Sequence, residues 1–286
     1  CGFIGTNLVR RLAQAGARIR VLDNMSAGNP ADIRPYGAEL IVGDVRDGPL
    51  VRRALEGAEA VIHLAAQTGV IPSQQSPAED FDVNARGTFE LLAASRDAGI
   101  RKFIFASTGG AILGEKQPPI HEEMAARPLS PYGASKLAAE GYCSAFFGSF
   151  GLPTVSLRFS NVYGPYSYHK GSVIARFFKL LLAGQSLTVY GDGTQTRDFL
   201  YVEDLVDAVL RALEAAPGGE VFQIASGQET SINQLIALMR ETISDRPIDV
   251  VYAPARRGEV SRNFASINKA RRLLDFHPRM TLREGL

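Results

Sequence analysis

Cysteine, histidine and net charge are all scarce in this 286-residue chain, and each scarcity removes a class of function. Cys1 and Cys143 offer at most one bridge and no C-x-x-C pair, so reduced thiols are expected. His63, His121, His169 and His277 lie far apart without metal-ligand spacing, and no metal site is expected. Lys plus Arg number 31 against 30 Asp plus Glu, a formal net charge of +1, which leaves no bulk field to gather nucleic acid or anionic lipid. No run approaches ~18 consecutive apolar residues, and no charged segment leads into an apolar one at the start. The expectation is a cytoplasmic protein with neither membrane nor nucleic-acid partners.

What is present is ordinary globular material: 45% hydrophobic and 21% charged residues, with Gly 28 and Pro 15 too scattered for collagen or disorder. At about 150 residues per domain the length allows two domains or one large one. Cys1-Gly2-Phe3-Ile4-Gly5-Thr6-Asn7-Leu8 reads as the middle of a strand-turn-helix, so a first strand is expected upstream, and 281–286 stops where a helix begins.

Leu8, Val9 and Leu12 recur at helical spacing up to Gly16. Short apolar runs at 17–23, 40–45, 60–66 and 102–107 alternate with helical patterns at 49–56, 80–98 and 131–149, which predicts βαβ units and a parallel sheet. Past about residue 160 the texture changes. Pro and Gly cluster, helices are expected at 172–183, 202–215 and 231–244, and strands at 187–190, 221–225 and 248–252, a second, smaller lobe. Ser231 with Gln234 forms a capping-box pattern.

Three constellations carry chemistry. Gly2-Phe3-Ile4-Gly5 fits the end of a glycine turn that lets backbone approach a pyrophosphate at a helix N-terminus. Asp23, closing the next strand, places a carboxylate where it accepts bonds from a ribose 2′-OH and repels a 2′-phosphate, which favours NAD over NADP. Tyr132 and Lys136 are four apart on a predicted helix and share a face. A cation about 6 Å from a phenolate at an effective dielectric near 20 contributes roughly 3 kcal/mol, enough to bring a phenol about two units below its usual value near 10. Tyr132 is therefore expected to serve as a general base. The strand 102–107 runs into Ser107-Thr108, which places hydroxyls at the C-terminal edge of a parallel sheet, where ligands of open α/β sheets bind.

With these residues in place, the chain resembles the extended short-chain dehydrogenases/reductases, specifically the NAD-dependent sugar-nucleotide epimerase/dehydratase family. Further matching segments are Gly43-Asp44-Val45-Arg46-Asp47, His63-Leu64-Ala65-Ala66, Asn84 with Gly87-Thr88, Arg158 to Pro165, and Arg197 to Asp204. The resemblance implies an α/β chain with a Rossmann-like doubly wound parallel sheet over 1–160 for NAD and a smaller C-terminal α/β lobe over 161–286 for substrate, with some of that chain returning to the first domain. It places Gly2, Phe3, Ile4, Gly5, Asp23, Asn24, Asp44, Val45, Ala65, Ala66, Asn84, Lys136 and Phe159 at the cofactor. It makes Tyr132, Lys136 and Thr108 the catalytic set, and assigns Thr108, Asn161, Arg197, Arg256 and Glu259 to the substrate.

The implied activity is epimerisation at C4 of a nucleoside-diphosphate sugar, of UDP-glucose/UDP-galactose type, through a transient 4-ketose. Asn263 falls where some family members carry a bulky residue, which opens an N-acetylated sugar as a variant. Other outcomes of the same chemistry are a dehydratase, a decarboxylase or a reductase, and outside catalysis a dinucleotide-binding protein. Family dehydratases carry an acidic pair directly after the strand-end hydroxyl, whereas this chain has Gly109-Gly110, so elimination lacks its proton shuttles. His63 is expected as a buried strand histidine. His169 and Lys170 are open between a loop facing the diphosphate and a solvated one. Helices matching 80–98 and 131–149 pair across a homodimer in the family.

Overall fold

Residues 103–106 are apolar at consecutive positions, so a strand carrying them needs cover on both faces. The computed structural model, which describes residues 1–243, 247–255 and 260–286, supplies that cover. Its strands are β1 (Arg20–Asp23), β2 (Glu39–Val42), β3 (Ala60–His63), β4 (Lys102–Thr108), β5 (Thr154–Phe159), β6 (Asn161–Tyr163), β7 (Leu187–Tyr190), β8 (Thr196–Arg197), β9 (Phe199–Tyr201), β10 (Glu220–Ile224), β11 (Thr230–Ser231) and β12 (Val250–Ala253). The helices are α1 (Phe3–Gln14), α2 (Gly48–Leu55), α3 (Val70–Gln75), α4 (Pro77–Phe81), α5 (Gly87–Asp97), α6 (Gly109–Leu113), α7 (Pro131–Phe150), α8 (Val173–Leu182), α9 (Val202–Ala215), α10 (Ile232–Thr242), α11 (Asn268–Leu274) and α12 (Leu282–Gly285).

β3, β4, β5 and β10 form one parallel sheet in the order β10-β5-β4-β3, and β1 pairs with β2 as a separate parallel ribbon. Phe103 and Phe105 point into a core shared with α2, α5 and α7, whereas Ile104 points the other way, toward α1, α9 and α11. Helices therefore lie on both faces of a parallel sheet, a doubly wound α/β arrangement. A third core, built from Tyr163, Phe177, Leu187, Phe199, Leu235 and Met239 among others, fills the later part of the chain. β10 nevertheless returns to the first sheet, because Phe222 and Ile224 are both wholly buried there.

Where helices end is set by local chemistry. Ser130 caps α7 by accepting from the Gly133 N–H at 3.2 Å, Pro131 occupies the first turn, and Gly151 closes it at φ 71°. Both bonds of the Ser231–Gln234 capping box form at α10; residue 244, the expected end of that helix, lies outside the described residues.

Of the elements that differ from the sequence reading, two bear on the site. β5 is a central strand that periodicity did not single out, because its alternate residues Thr154, Ser156 and Arg158 are polar yet buried. Thr154 Oγ1 donates to the Cys143 carbonyl at 2.7 Å and Arg158 Nη2 to Glu140 Oε2 at 2.7 Å, while Arg158 Nη1 is left without a partner. The single helix expected over 80–98 is divided by a π turn at Asp82–Arg86, where Asn84 reaches sideways to the loop after β3. Arg158→Met leaves Glu140 buried without its partner; the free energy of unfolding should fall by about 3–5 kcal/mol in a denaturant titration, and an unchanged midpoint would show the pair to be dispensable.

Candidate active site

Parallel strands with helices on both faces leave their C-terminal edge open, and the chemistry-bearing residues collect there. α1 begins beside that edge with Gly2 extended at φ −78°, ψ 180°, and no side chain caps its first turn, so its N–H groups are available to an anion. Asp23 ends β1, and its Oδ1 accepts from the Met25 N–H at 2.7 Å, which fixes the carboxylate. Asn24 donates to Asp44 Oδ2 at 3.1 Å, and Arg46 grips the same carboxylate through Nε and Nη2, holding the Asp44 carboxyl well below its usual range. Val45 is buried beneath Gly87, where a Cβ would stand 2.9 Å from Val45 Cγ2. Ala65 and Ala66 follow β3 in a partly buried loop, and Phe159 ends β5. An uncapped helix start, a fixed strand-end carboxylate and an open sheet edge fit a dinucleotide.

Tyr132 and Lys136 lie on one face of α7, as their spacing requires. Tyr132 and Thr108, the last residue of β4, line the same cleft. Ser107 is committed elsewhere, donating to Glu140 Oε1 at 2.6 Å in the buried Glu140–Arg158 pair. Lys136 is 2% exposed; its ammonium donates to the Ala106 carbonyl at 2.9 Å and sits 4.7 Å from the centre of the Phe105 ring. Burial pulls the Lys136 ammonium down to about 8, against the pull of Asp80, Cys143 and Glu140. Burial likewise pushes the Tyr132 phenol up to about 12, with Asp80 adding to the rise and Thr108 opposing it. This corrects the expectation of a phenol already acidified by Lys136. The loss of water around the phenolate outweighs a cation whose donors are turned toward Ala106 and Phe105.

Behind this pair lies a buried polar cluster. Asn84, wholly buried, donates to the Gln67 carbonyl and to Asp80 Oδ1, both at 2.9 Å, and accepts from the Gln67 N–H at 2.9 Å. Asn84 therefore pins the loop that carries Ala65 and Ala66, and its side chain is spent within the protein. Asp80 is 0% exposed and its Oδ2 has no hydrogen-bond partner; burial raises its carboxyl above the usual value. The sequence reading passed over Asp80, although its four-residue spacing before Asn84 places the two on one helical face. His63 is buried as expected, 3.0 Å from Thr88 Oγ1 through Nε2, and burial drops it to about 3, so it stays neutral.

Two clefts meet at Asn161. One, of about 210 Å³, is lined by Thr108, Gly109, Tyr132, Phe159, Gln223 and Asn263. The other, of about 170 Å³, is walled by Arg176, Tyr190, Gln195 and Arg197. Arg197 Nη1 donates to the carbonyls of Thr196 and Val260 at 2.7 and 2.9 Å, which anchors the guanidinium at the cleft wall. Arg256 and Glu259 lie outside the described residues. Lys170 turns inward, donating to the Val162 carbonyl at 3.0 Å over the Phe3 ring, while His169 is exposed.

A glycine turn, a strand-end acid and a Tyr–Lys pair on one helix agree with the NAD dependent epimerase/dehydratase family, whose model matches residues 1–225. The chain belongs to that family. The UDP-glucose 4-epimerase of Mycolicibacterium smegmatis is 35% identical over 293 residues, covering 100% of this chain and 93% of the relative. The solved UDP-glucose 4-epimerase of Thermotoga maritima, with UDP-glucose, superposes with a TM-score of 0.94 at 38% identity, covering 99% of this chain and 93% of that one. The UDP-glucose 4-epimerase of Thermus thermophilus in complex with NAD gives 0.91 at 35% identity, covering 99% and 93%.

Within the family fold, Asp80 faces the Tyr–Lys pair as a fixed charge, and its removal has a definite sign. Asp80→Asn deletes a negative charge that raises both groups, so Tyr132 should titrate below about 12 and Lys136 below about 8. NMR titration of carbon-13-labelled Tyr and Lys side chains reads both; midpoints that stay put or rise would remove Asp80 from the electrostatics of the site.

Proposed function

We propose that this protein is an NAD-dependent 4-epimerase of a nucleoside-diphosphate sugar, of the UDP-glucose/UDP-galactose type. The observation that carries the reading is that Tyr132 and Thr108 line one cleft, with the buried ammonium of Lys136 one helical turn behind Tyr132. The first turn of α1 and Asp23 hold the cofactor's pyrophosphate and adenosine ribose, with Asn24, Asp44, Val45 and the Ala65–Ala66 loop around the adenine side. Lys136 reaches the nicotinamide ribose, beside Phe159. When bound, NAD accepts a hydride from C4 of the sugar and returns it, and its positive ring lowers the free energy of a nearby phenolate.

Tyr132 takes the proton of the C4 hydroxyl while Thr108 orients that oxygen, and gives the proton back when the opposite face of the 4-ketose is presented. Lys136 stabilises the phenolate electrostatically and does not itself exchange a proton with the sugar. Arg197 and Asn161 bind the diphosphate and its junction with the sugar, a task suited to fixed guanidinium and carboxamide donors, and Arg256 and Glu259 complete the nucleotide side. After Thr108 the chain offers Gly109-Gly110, so no acid or base stands ready to eliminate water, and this supports epimerisation over dehydration. Asn263 closes over Gly110, where a Cβ would meet its Nδ2 at 2.3 Å. This compact carboxamide supports acceptance of N-acetylated sugars as a second reading.

Purified protein should interconvert UDP-glucose and UDP-galactose without added reductant, and Tyr132→Phe should lower kcat by about 10²–10⁴-fold. Undiminished turnover in that variant would reject the mechanism.

The protein is further proposed to be a homodimer. Phe89 on α5 and Tyr142 and Phe150 on α7 are all more than a third exposed, and the Phe89 and Tyr142 rings meet edge-on at 5.3 Å, forming an aromatic face on adjacent helices. Light scattering should return the mass of two chains, and Phe89→Glu with Phe150→Glu should reduce it to one. Both cysteines are buried and unpaired, which fits the cytoplasm, and among the described residues no helix is long and apolar enough to cross a membrane.

A further inference from the structure

Gln223 stands on β10, an edge strand of the main sheet, between the buried Phe222 and Ile224. Alternation along the strand turns it to the opposite face from those two, and its backbone N–H is tied to Glu122 Oε1 at 2.7 Å. The side chain is 1% exposed and lines the same cleft as Thr108 and Tyr132, yet its Nε2 has no hydrogen-bond partner. A buried amide donor without an acceptor is costly unless a bound molecule supplies one.

The space Gln223 uses is created by Gly109. An ideal Cβ on Gly109 would lie 2.4 Å from Gln223 Oε1, closer than real atoms approach, so only glycine there lets the carboxamide lie against the residue after Thr108. Gly110 has the same relation to Asn263, whose Nδ2 would stand 2.3 Å from an added Cβ. Two consecutive glycines thus cede their side-chain space to two carboxamides, which offer hydrogen bonds and no transferable proton. Among the described residues lining this cleft there is no lysine or arginine. Its one carboxylate, Asp198, is already engaged by the N–H groups of Ser226, Gly227 and Ala265 and by the Ser226 hydroxyl.

We infer that Gln223 is a sugar-binding, specificity-determining residue whose Nε2 donates to an oxygen of a neutral hexose beside the carbon that faces Tyr132 and Thr108. The inference rests on the reading of a nucleoside-diphosphate sugar as substrate and adds which group holds the sugar and which sugars are disfavoured. A hexuronate carboxylate would find carboxamides and a buried acid in this cleft but no described cation, and should bind less well than the neutral sugar.

Calorimetry on the NAD-loaded protein with UDP-glucose, UDP-glucuronate and UDP separates the possibilities. Gln223→Met, unbranched and of similar length, should weaken UDP-glucose about 5- to 10-fold while leaving UDP unchanged, because UDP carries no sugar to lose the bond. Gly109→Ala, whose methyl must displace the carboxamide, should reproduce that selective loss by an independent route. Wild-type protein should bind UDP-glucose more tightly than UDP-glucuronate. Equal weakening of UDP and UDP-glucose would make Gln223 structural, and unaltered UDP-glucose affinity in both variants would remove it from the sugar site. A tighter UDP-glucuronate complex would overturn the neutral-sugar assignment. Wild-type protein that binds UDP but not UDP-glucose would overturn the sugar-nucleotide reading and this inference with it.

Discussion

A lysine ammonium kept almost entirely out of water is the constraint around which this site is arranged. Lys136 has one hydrogen bond, to Ala106, and the face of Phe105 in place of solvent, and burial brings its proton affinity close to neutral pH. A cation in such surroundings needs compensating charge or it discards its proton. Two buried carboxylates face it. Glu140 is taken by Arg158 and Ser107, which leaves Asp80, held on one side by Asn84 and unbonded on the other, as the less committed charge. The same burial that makes the ammonium labile makes the Tyr132 phenol reluctant, so the protein alone holds the pair as a neutral phenol beside a marginal ammonium. On the proposed function, a positive cofactor ring in the slot would shift that balance toward phenolate.

The second dependence is geometric. Thr108 and Phe159 are the last residues of adjacent parallel strands, so their distance from each other and from α7 is fixed by sheet register. The later part of the chain is fastened to that edge by Asp198, whose carboxylate accepts from the Ser226, Gly227 and Ala265 N–H groups. One buried acid thereby joins three chain segments around the clefts, and Asn161, between them, faces both.

Much of the fold was legible because its signals are local. Consecutive apolar residues at 103–106 announce a strand buried on both faces, and Ser130-Pro131 and Gly151 bracket α7 by capping chemistry that sequence alone displays. β5 was not legible. Its inward face is Thr, Ser and Arg, and such residues read as solvent-facing until their partners, Cys143 and Glu140, are brought from α7 across the sheet. The division of the 80–98 helix by a π turn was hidden for a related reason, since it depends on Asn84 reaching Gln67, seventeen residues away in sequence.

At the site, spacing determined which residues share a face: Tyr132 with Lys136 on one helix, Thr108 at the end of a strand, and the glycines of the α1 turn. Residue type also determined that no proton shuttle follows Thr108. Only the tertiary structure decided what those groups experience. It set Ser107 against Glu140 and Thr108 against Tyr132, raised the phenol where the charges alone had argued for lowering it, and turned Gln223 into the space left by Gly109. The physical reason is that spacing along a helix or strand is a property of the backbone, whereas loss of water and the packing of one side chain against another exist only once distant segments meet.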